Sequence, residues 1–247
     1  MKKTFFAIAL AMVGLSSCTN EVLNDVDAMG TIVLSVSNDE QVTRAAKAVA
    51  DLNGWTVKAK ANDGTSDISL TTASTKVKAG TYTITAKSHT DEAAALADNG
   101  GWGAAYYEGS TSGVVVSAGQ TATATINCGT AKNARLKVQF SLVNNFTDYS
   151  LTAERNRVFD KSNSDTALAY YGATEVVNYT LTYKYNGAEK TKTGTITMKG
   201  AATENIISIS SNDNGTISVT INYDDTFETG NSSNLEFDAA TGEEVKK

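Results

Sequence analysis

The stretch Ile217-Ser218-Val219-Thr220-Ile221-Asn222-Tyr223 alternates apolar and polar side chains along its whole length. Because successive side chains of a strand point to opposite faces, this period of two predicts a β-strand with one buried face and one wet face. The pair Asn214-Gly215 just before it tolerates the positive φ angles of a tight hairpin turn. This part of the chain is therefore predicted to be a half-buried strand that follows a turn.

The same alternation recurs along most of the chain. It is found at residues 31–37, 55–59, 82–86, 122–126, 136–140, 149–153 and 179–185. Asn186-Gly187 is a further hairpin turn signal, and only Asp91 to Asp98, with its run of alanines, hints at a short helix. Strands spaced by roughly ten residues and separated by glycine turns are typical of β-sandwiches. We therefore predict an all-β chain.

The first 18 residues have the pattern of a bacterial lipoprotein leader. Lys2-Lys3 supplies positive charge, and the apolar stretch from Phe5 to Gly14 is far shorter than the roughly 20 residues of a membrane-spanning helix. Leu15-Ser16-Ser17-Cys18 has the form of a lipobox, in which small residues precede the cysteine that receives the lipid. We predict that an acylated Cys18 anchors the chain to a membrane. The alternative is a soluble secreted protein with an incidental cysteine.

A short polar segment divides the strand pattern into two halves. Cys128 to Asn133 is small, polar and unpatterned, and it separates two lengths that each suit one sandwich domain. After Tyr223 the pattern stops, apart from one edge strand expected around Leu235 to Phe237. The predicted organisation is a signal peptide (1–17), a lipidated linker (18–29), an N-terminal β-sandwich (30–130), a C-terminal β-sandwich (133–223) and an acidic, mostly polar tail (224–247).

Charge and composition exclude several functional classes. The net charge of -6 and the pI near 4.9, without any run of Lys or Arg, argue against nucleic acid as a partner. His89 is the one histidine, so histidine-based metal sites and catalytic triads lack their parts. With Cys18 acylated, only Cys128 remains and no intramolecular disulfide can form. We therefore expect no enzymatic activity, no cofactor and no bound metal.

The aromatic cluster from Trp102 to Gly109 is the best candidate for a binding surface. It contains Trp102, Tyr106 and Tyr107 between flexible glycines. Adjacent tyrosines on a strand face opposite ways, so one of the two is expected outside. Exposed Trp and Tyr side chains stack on sugar rings or anchor a protein partner. In the competing interpretation, Trp102 and one tyrosine close the end of the sandwich core.

Five short motifs carry a resemblance to a known family. They are Gly30 to Ser37, Val42 to Ala45, Ala79 to Thr83, Ala105 to Gly109 and Val116 to Thr121. In this order they resemble a Bacteroidetes family of outer-membrane lipoproteins of uncharacterised role. That family is similar in architecture to fimbrillin-like proteins, which have two transthyretin-like β-sandwich domains. The resemblance implies two tandem transthyretin- or immunoglobulin-like sandwiches on a lipid anchor in the outer membrane, facing the cell surface. It implies no catalytic residue.

The fimbrillin analogy also implies a mechanism and a modification. Those pilin precursors are cut at an arginine after the first strand, and a neighbouring subunit's strand then fills the vacated groove. Arg44 follows the strand at residues 31–37 and occupies the corresponding position. Asp165-Thr166-Ala167 resembles the O-glycosylation acceptor motif of Bacteroidetes, which makes Thr166 a candidate site. Our leading hypothesis is a non-enzymatic binding or adhesion module for a glycan or a protein, and the alternative is a self-assembling pilus subunit cleaved at Arg44.

Overall fold

The computed structural model describes residues 28–37, 54–65, 67–70, 74–143, 145–224 and 229–245. The predicted signal peptide, Cys18 and Arg44 lie outside these ranges. No helix among the described residues has the length and apolarity needed to cross a membrane. The described chain is nearly all β, as predicted, and forms two β-sandwiches with separate cores.

The N-terminal sandwich contains seven of the described strands and one helix. They are β1 (Met29–Ser37), β2 (Thr56–Ala61), β3 (Ile68–Ser69), β4 (Ser74–Lys78), β5 (Gly80–Lys87), α1 (Glu92–Ala97), β6 (Glu108–Val116) and β7 (Thr121–Asn127). One sheet has the order β4-β1-β7 and the other the order β3-β2-β5-β6. β1 pairs antiparallel with β4 and parallel with β7. The apolar positions of the predicted strands meet between the two sheets, as in Ile32, Ile84 and Ile126.

The C-terminal sandwich contains the other nine described strands. They are β8 (Ala134–Ser141), β9 (Phe146–Ala153), β10 (Arg157–Asp160), β11 (Ala169–Tyr171), β12 (Val176–Tyr185), β13 (Ala188–Thr197), β14 (Glu204–Ser211), β15 (Thr216–Asp224) and β16 (Thr229–Asp238). The sheets have the orders β10-β9-β12-β13 and β11-β8-β14-β15-β16. β8 pairs antiparallel with β11 and parallel with β14, so the first strand of each sandwich is held in the same way.

Local sequence signals explain the turns and the helix. Asn186 and Gly187 join β12 to β13 with φ angles of +50° and +78°, as the hairpin signal predicted. The predicted helix is also confirmed, because α1 lies between Asp91 and Asp98. The Asp91 side chain accepts a hydrogen bond from the Ala94 N–H at 2.8 Å and so caps the first turn.

The C-terminal segment, expected to be mostly polar with one edge strand, takes part in the second core. β16 pairs with β15 and is longer than the strand expected around Leu235 to Phe237. Phe237 and Ala239 are completely buried, and the Tyr183 hydroxyl donates to the Ala239 carbonyl at 3.0 Å. The second sandwich therefore continues to at least Ala239.

Candidate functional site

A segment of the first sandwich packs against the second. It comprises residues 88–107, which we call the bridging segment, and it leaves the sheet after β5 and returns to it at β6. Within it, α1 is followed by a single 3-10 turn at Asn99–Gly101. Gly103 has a φ of +80°, and a Cβ there would lie 3.0 Å from the Tyr170 Cβ. A glycine therefore allows the segment to approach the second sandwich closely.

Arg157 anchors the bridging segment from the second sandwich. Its side chain is buried and donates to the Gly101 carbonyl at 2.7 Å, to the Leu96 carbonyl at 3.1 Å and to the Tyr170 carbonyl. The guanidinium lies 4.2 Å from the centroid of the Tyr171 ring, which adds a cation–π contact. Burial lowers the pKa of Arg157, and Tyr171 opposes that shift. Because arginine stays charged in proteins, the two sandwiches are joined by charge-assisted hydrogen bonds.

Asn133 forms a second link at the domain boundary. This buried side chain accepts a hydrogen bond from the Tyr106 N–H at 3.0 Å and donates to the Ala104 carbonyl at 2.8 Å. Backbone bonds flank it, since the Tyr170 N–H donates to the Trp102 carbonyl at 2.8 Å. The bridging segment is therefore fixed along residues 101–106, which gives its side chains defined positions.

A cleft of about 590 Å³ opens beside this junction. It is lined by Asn99, Trp102, Asn163, Thr166, Ala167, Leu168 and Tyr170, and we call it the junction cleft. Trp102 meets Phe159 edge to face, with 5.1 Å between the ring centroids, so one part of the indole rests on the second core. Both sandwiches contribute to the lining, and all the lining side chains are uncharged.

The three aromatic residues of the predicted binding surface are separated in the structure. Trp102 lines the junction cleft, whereas Tyr106 is buried and its hydroxyl donates to Glu108 at 2.9 Å. Tyr107 is half-buried and stacks on Trp55 with 6.3 Å between the ring centroids. The two tyrosines therefore pack within the first sandwich, and Trp102 alone of the three reaches the cleft.

The part of the cleft wall that includes Asn163 and Thr166 is a turn ordered by its own side chains. The Asn163 amide accepts from the Asp160 N–H at 2.8 Å and donates to the Val158 carbonyl at 2.9 Å. Thr166, the candidate glycosylation site, donates through its hydroxyl to the Asn163 carbonyl at 3.0 Å. Ser162 bonds Asp160 and holds the pKa of that carboxyl below its usual value. The cleft wall is therefore preorganised.

His89 connects Ser88 and Asp98 at the base of the bridging segment. Its Nδ1 lies 3.0 Å from the Ser88 Oγ and its Nε2 lies 3.2 Å from the Asp98 Oδ2, so the residue types of a hydrolase triad meet here. The Ser88 Oγ accepts the Tyr107 N–H at 2.9 Å, and Asp98 accepts the Asn99 N–H, which with His89 lowers the Asp98 pKa. These bonds tie the two ends of the segment together.

Within the described ranges, no cluster of three or more His, Cys, Asp or Glu side chains has a metal-binding arrangement. Cys128 is buried, and burial raises the pKa of its thiol. A buried thiol with a raised pKa is a poor nucleophile and a poor metal ligand. The junction cleft, by contrast, combines an aromatic ring, amide groups and hydroxyl groups on a fixed frame.

The position of β1 between β4 and β7 is a second candidate site. β1 lies in the centre of its sheet, and its alternate residues Ile32, Leu34 and Val36 are buried. A Cβ on Gly30 would collide with Val116 and the Ser117 carbonyl, so the start of β1 fits closely. Removing this strand would expose an apolar slot between two unpaired strand edges, which is the geometry that accepts an added strand.

The family to which the chain belongs follows from its sequence. Residues 28–237 match the family described as "Domain of unknown function (DUF4493)". The chain belongs to this family. The match begins one residue before β1 and ends inside β16, so the DUF4493 domain includes both sandwiches and the bridging segment. No curated protein matches the chain.

Three solved structures from Bacteroidetes share low similarity with this DUF4493 chain. A candidate cell adhesion protein from Bacteroides eggerthii is 8% identical, with 74% of this chain and 85% of that chain covered and a TM-score of 0.42. A candidate cell adhesion protein from Bacteroides ovatus is 10% identical, with 82% and 97% covered and a TM-score of 0.44. A fimbrial assembly protein from Parabacteroides distasonis is 9% identical, with 83% and 98% covered and a TM-score of 0.46.

Proposed function

We propose that this chain is a lipid-anchored, non-enzymatic protein of the bacterial cell envelope that binds a partner through the junction cleft. The observation that carries the proposal is the placement of Trp102 in an uncharged cleft whose frame is fixed by Arg157 and Asn133. Ligand sites are concave, largely apolar and mostly formed before binding, and their few polar groups provide orientation. The junction cleft is an open depression that places one aromatic ring among amide and hydroxyl groups on a frame formed before binding.

The non-enzymatic part of the proposal rests on where the reactive side chains lie. Ser88, His89 and Asp98 do not line the junction cleft, and each is engaged in bonds that hold the bridging segment. A hydrolase would need a nucleophile beside the place where its substrate sits. We therefore expect binding without turnover.

The anchor is proposed from the lipobox sequence. Mass spectrometry of native protein from the membrane fraction should find an acylated Cys18 as the N-terminus. Cys18→Ser should release the chain from that fraction, because a multiply acylated terminus is a lasting anchor. A chain in the membrane fraction without acylation at Cys18 would contradict the proposed lipid anchor.

Binding is tested with purified residues 19–247 in two assays on one panel of polysaccharides and extracellular proteins. The first assay measures retention on each immobilised panel member, and the second measures released reducing ends or peptides. Saturable retention without product release is the expected result. Robust release of product that Ser88→Ala abolishes would make the protein a hydrolase, and the absence of retention on every member would count against a binding role.

The second candidate function is a pilus subunit that assembles by strand exchange. It is favoured by the central position of β1, because excision of the chain up to Arg44 would remove that strand and open the slot between β4 and β7. Cells should then contain protein that starts at Ala45 within an SDS-resistant ladder. Arg44→Lys keeps the charge but should block an arginine-specific protease. Intact monomers in wild-type cells would eliminate this function.

A further inference from the structure

We infer that the ligand of the junction cleft is a neutral saccharide, held by its apolar face on Trp102. This inference rests on the proposed function and names the chemical class of its ligand. A pyranose ring has an apolar face, formed by its C–H groups, and a rim of hydroxyls. An aromatic ring beside amides and hydroxyls satisfies both parts of such a ligand.

The lining of the cleft favours an uncharged ligand. All its side chains are neutral, so a carboxylated or sulfated sugar would lose hydration without gaining a cation in return. The surrounding protein is acidic, with a net charge of -6, which further disfavours anions. The neutral lining and the acidic protein around it therefore favour binding of neutral saccharides over uronic acids and sulfated sugars.

The polar groups of the cleft have different roles. The Asn163 amide accepts and donates hydrogen bonds within its own turn, so this side chain shapes the cleft wall. Asn99 is exposed at the rim of the cleft, where its amide can donate to one hydroxyl and accept from another. The Thr166 hydroxyl donates to the Asn163 carbonyl, and its oxygen can still accept a hydrogen bond. Asn99 and Thr166 therefore offer complementary bonds to the edge of a sugar placed over Trp102.

An extended peptide fits this cleft less well. Peptides that bind along a sheet edge need free backbone N–H and C=O groups. The nearest strand is β11, and the N–H of its central residue Tyr170 already donates to the Trp102 carbonyl while its carbonyl accepts from Arg157. The Tyr170 backbone is therefore occupied, which disfavours strand addition at β11 and favours recognition through side chains.

The two tryptophans of the chain allow a direct test. Trp55 stacks on Tyr107 in the first sandwich and does not line the cleft, so Trp55→Phe leaves Trp102 as the only tryptophan reporter. Neutral hexose and N-acetylhexosamine disaccharides would be titrated against this variant up to about 10 mM, with glucuronate-containing and sulfated disaccharides in parallel. We expect a saturable change in Trp102 emission with at least one neutral sugar and none with the charged sugars.

Cleft variants complete the test. In the Trp55→Phe background, Asn99→Ala should weaken binding about two- to tenfold, the effect of losing the hydrogen bonds of one amide. Asp213→Ala, an exposed turn substitution away from the cleft, is the matched control and should leave affinity unchanged. Binding of charged sugars alone, or no response to any neutral sugar, would overturn the inference. If the same protein still binds an extracellular protein through Trp102, the proposed binding function stands and only the saccharide is wrong.

Discussion

Replacing Arg157 with alanine removes the cation that joins the two sandwiches. The side chain donates to the carbonyls of Leu96, Gly101 and Tyr170, and all three lose a donor at a partly buried junction. At about 1 to 3 kcal/mol for each unsatisfied group in a fully buried site, the upper limit of the loss would be about 3 to 9 kcal/mol. Water entering the vacated space recovers part of it, so we expect a decrease of about 3 to 5 kcal/mol in the free energy of unfolding.

The assay is urea denaturation followed by circular dichroism and by Trp102 emission in the Trp55→Phe background. Emission should change at lower urea than circular dichroism in Arg157→Ala, because the bridging segment separates before the strands unfold. Arg155→Ala is the matched control. Arg155 lies two residues away, pairs with Glu175 at 2.6 Å and is more than a third exposed, so its loss should change stability by less than about 1 kcal/mol. Equal, small effects of both substitutions would refute the role assigned to Arg157.

Three further predictions concern the core, a strand contact and pH. Phe237→Ala should lower the free energy of unfolding by about 3 to 5 kcal/mol in urea melts, because the ring is fully buried, and a change below about 1 kcal/mol would contradict its place in the core. Gly194→Ala should lower it by about 1 to 3 kcal/mol, because a Cβ there would overlap the buried Tyr179 ring, and a loss below about 0.5 kcal/mol would contradict the ring contact. Asp98 has a lowered pKa in the folded protein, so its contribution to stability is complete above its ordinary value of 3.8 and is lost as the pH falls through the folded value. Asp98→Asn should reduce the acid sensitivity of unfolding below pH 3.8, and identical acid profiles would contradict the linkage.

Local patterns were sufficient to predict the strands and several turns. The alternation around Ile217 to Tyr223 becomes β15, with Ile217 and Val219 buried, because a period of two places these side chains on one face. Asn186-Gly187 becomes a hairpin turn because its residues tolerate positive φ. These features depend on neighbours along the chain and are therefore visible in the sequence.

The site itself depends on distant contacts that local patterns do not reveal. Arg157 resembles a surface charge in the sequence, and its burial depends on carbonyl partners up to 61 residues away. The junction cleft is assembled from the bridging segment and the region around Asn163 to Tyr170, so it exists only when both sandwiches are in place. The parallel pairing of β1 with β7 likewise joins strands far apart in the chain. A run of aromatics identified Trp102, but not its separation from Tyr106 and Tyr107.

The most direct test of the central claim compares Trp102, which lines the junction cleft, with Trp55, which does not. Trp102→Ala and Trp55→Ala would be measured in parallel for retention on the polysaccharide and protein panel, with circular dichroism confirming that both variants are folded. A binding function in the junction cleft predicts that Trp102→Ala abolishes retention and Trp55→Ala preserves it. Full retention by Trp102→Ala, or an equal loss in both variants, would contradict a functional role for the cleft.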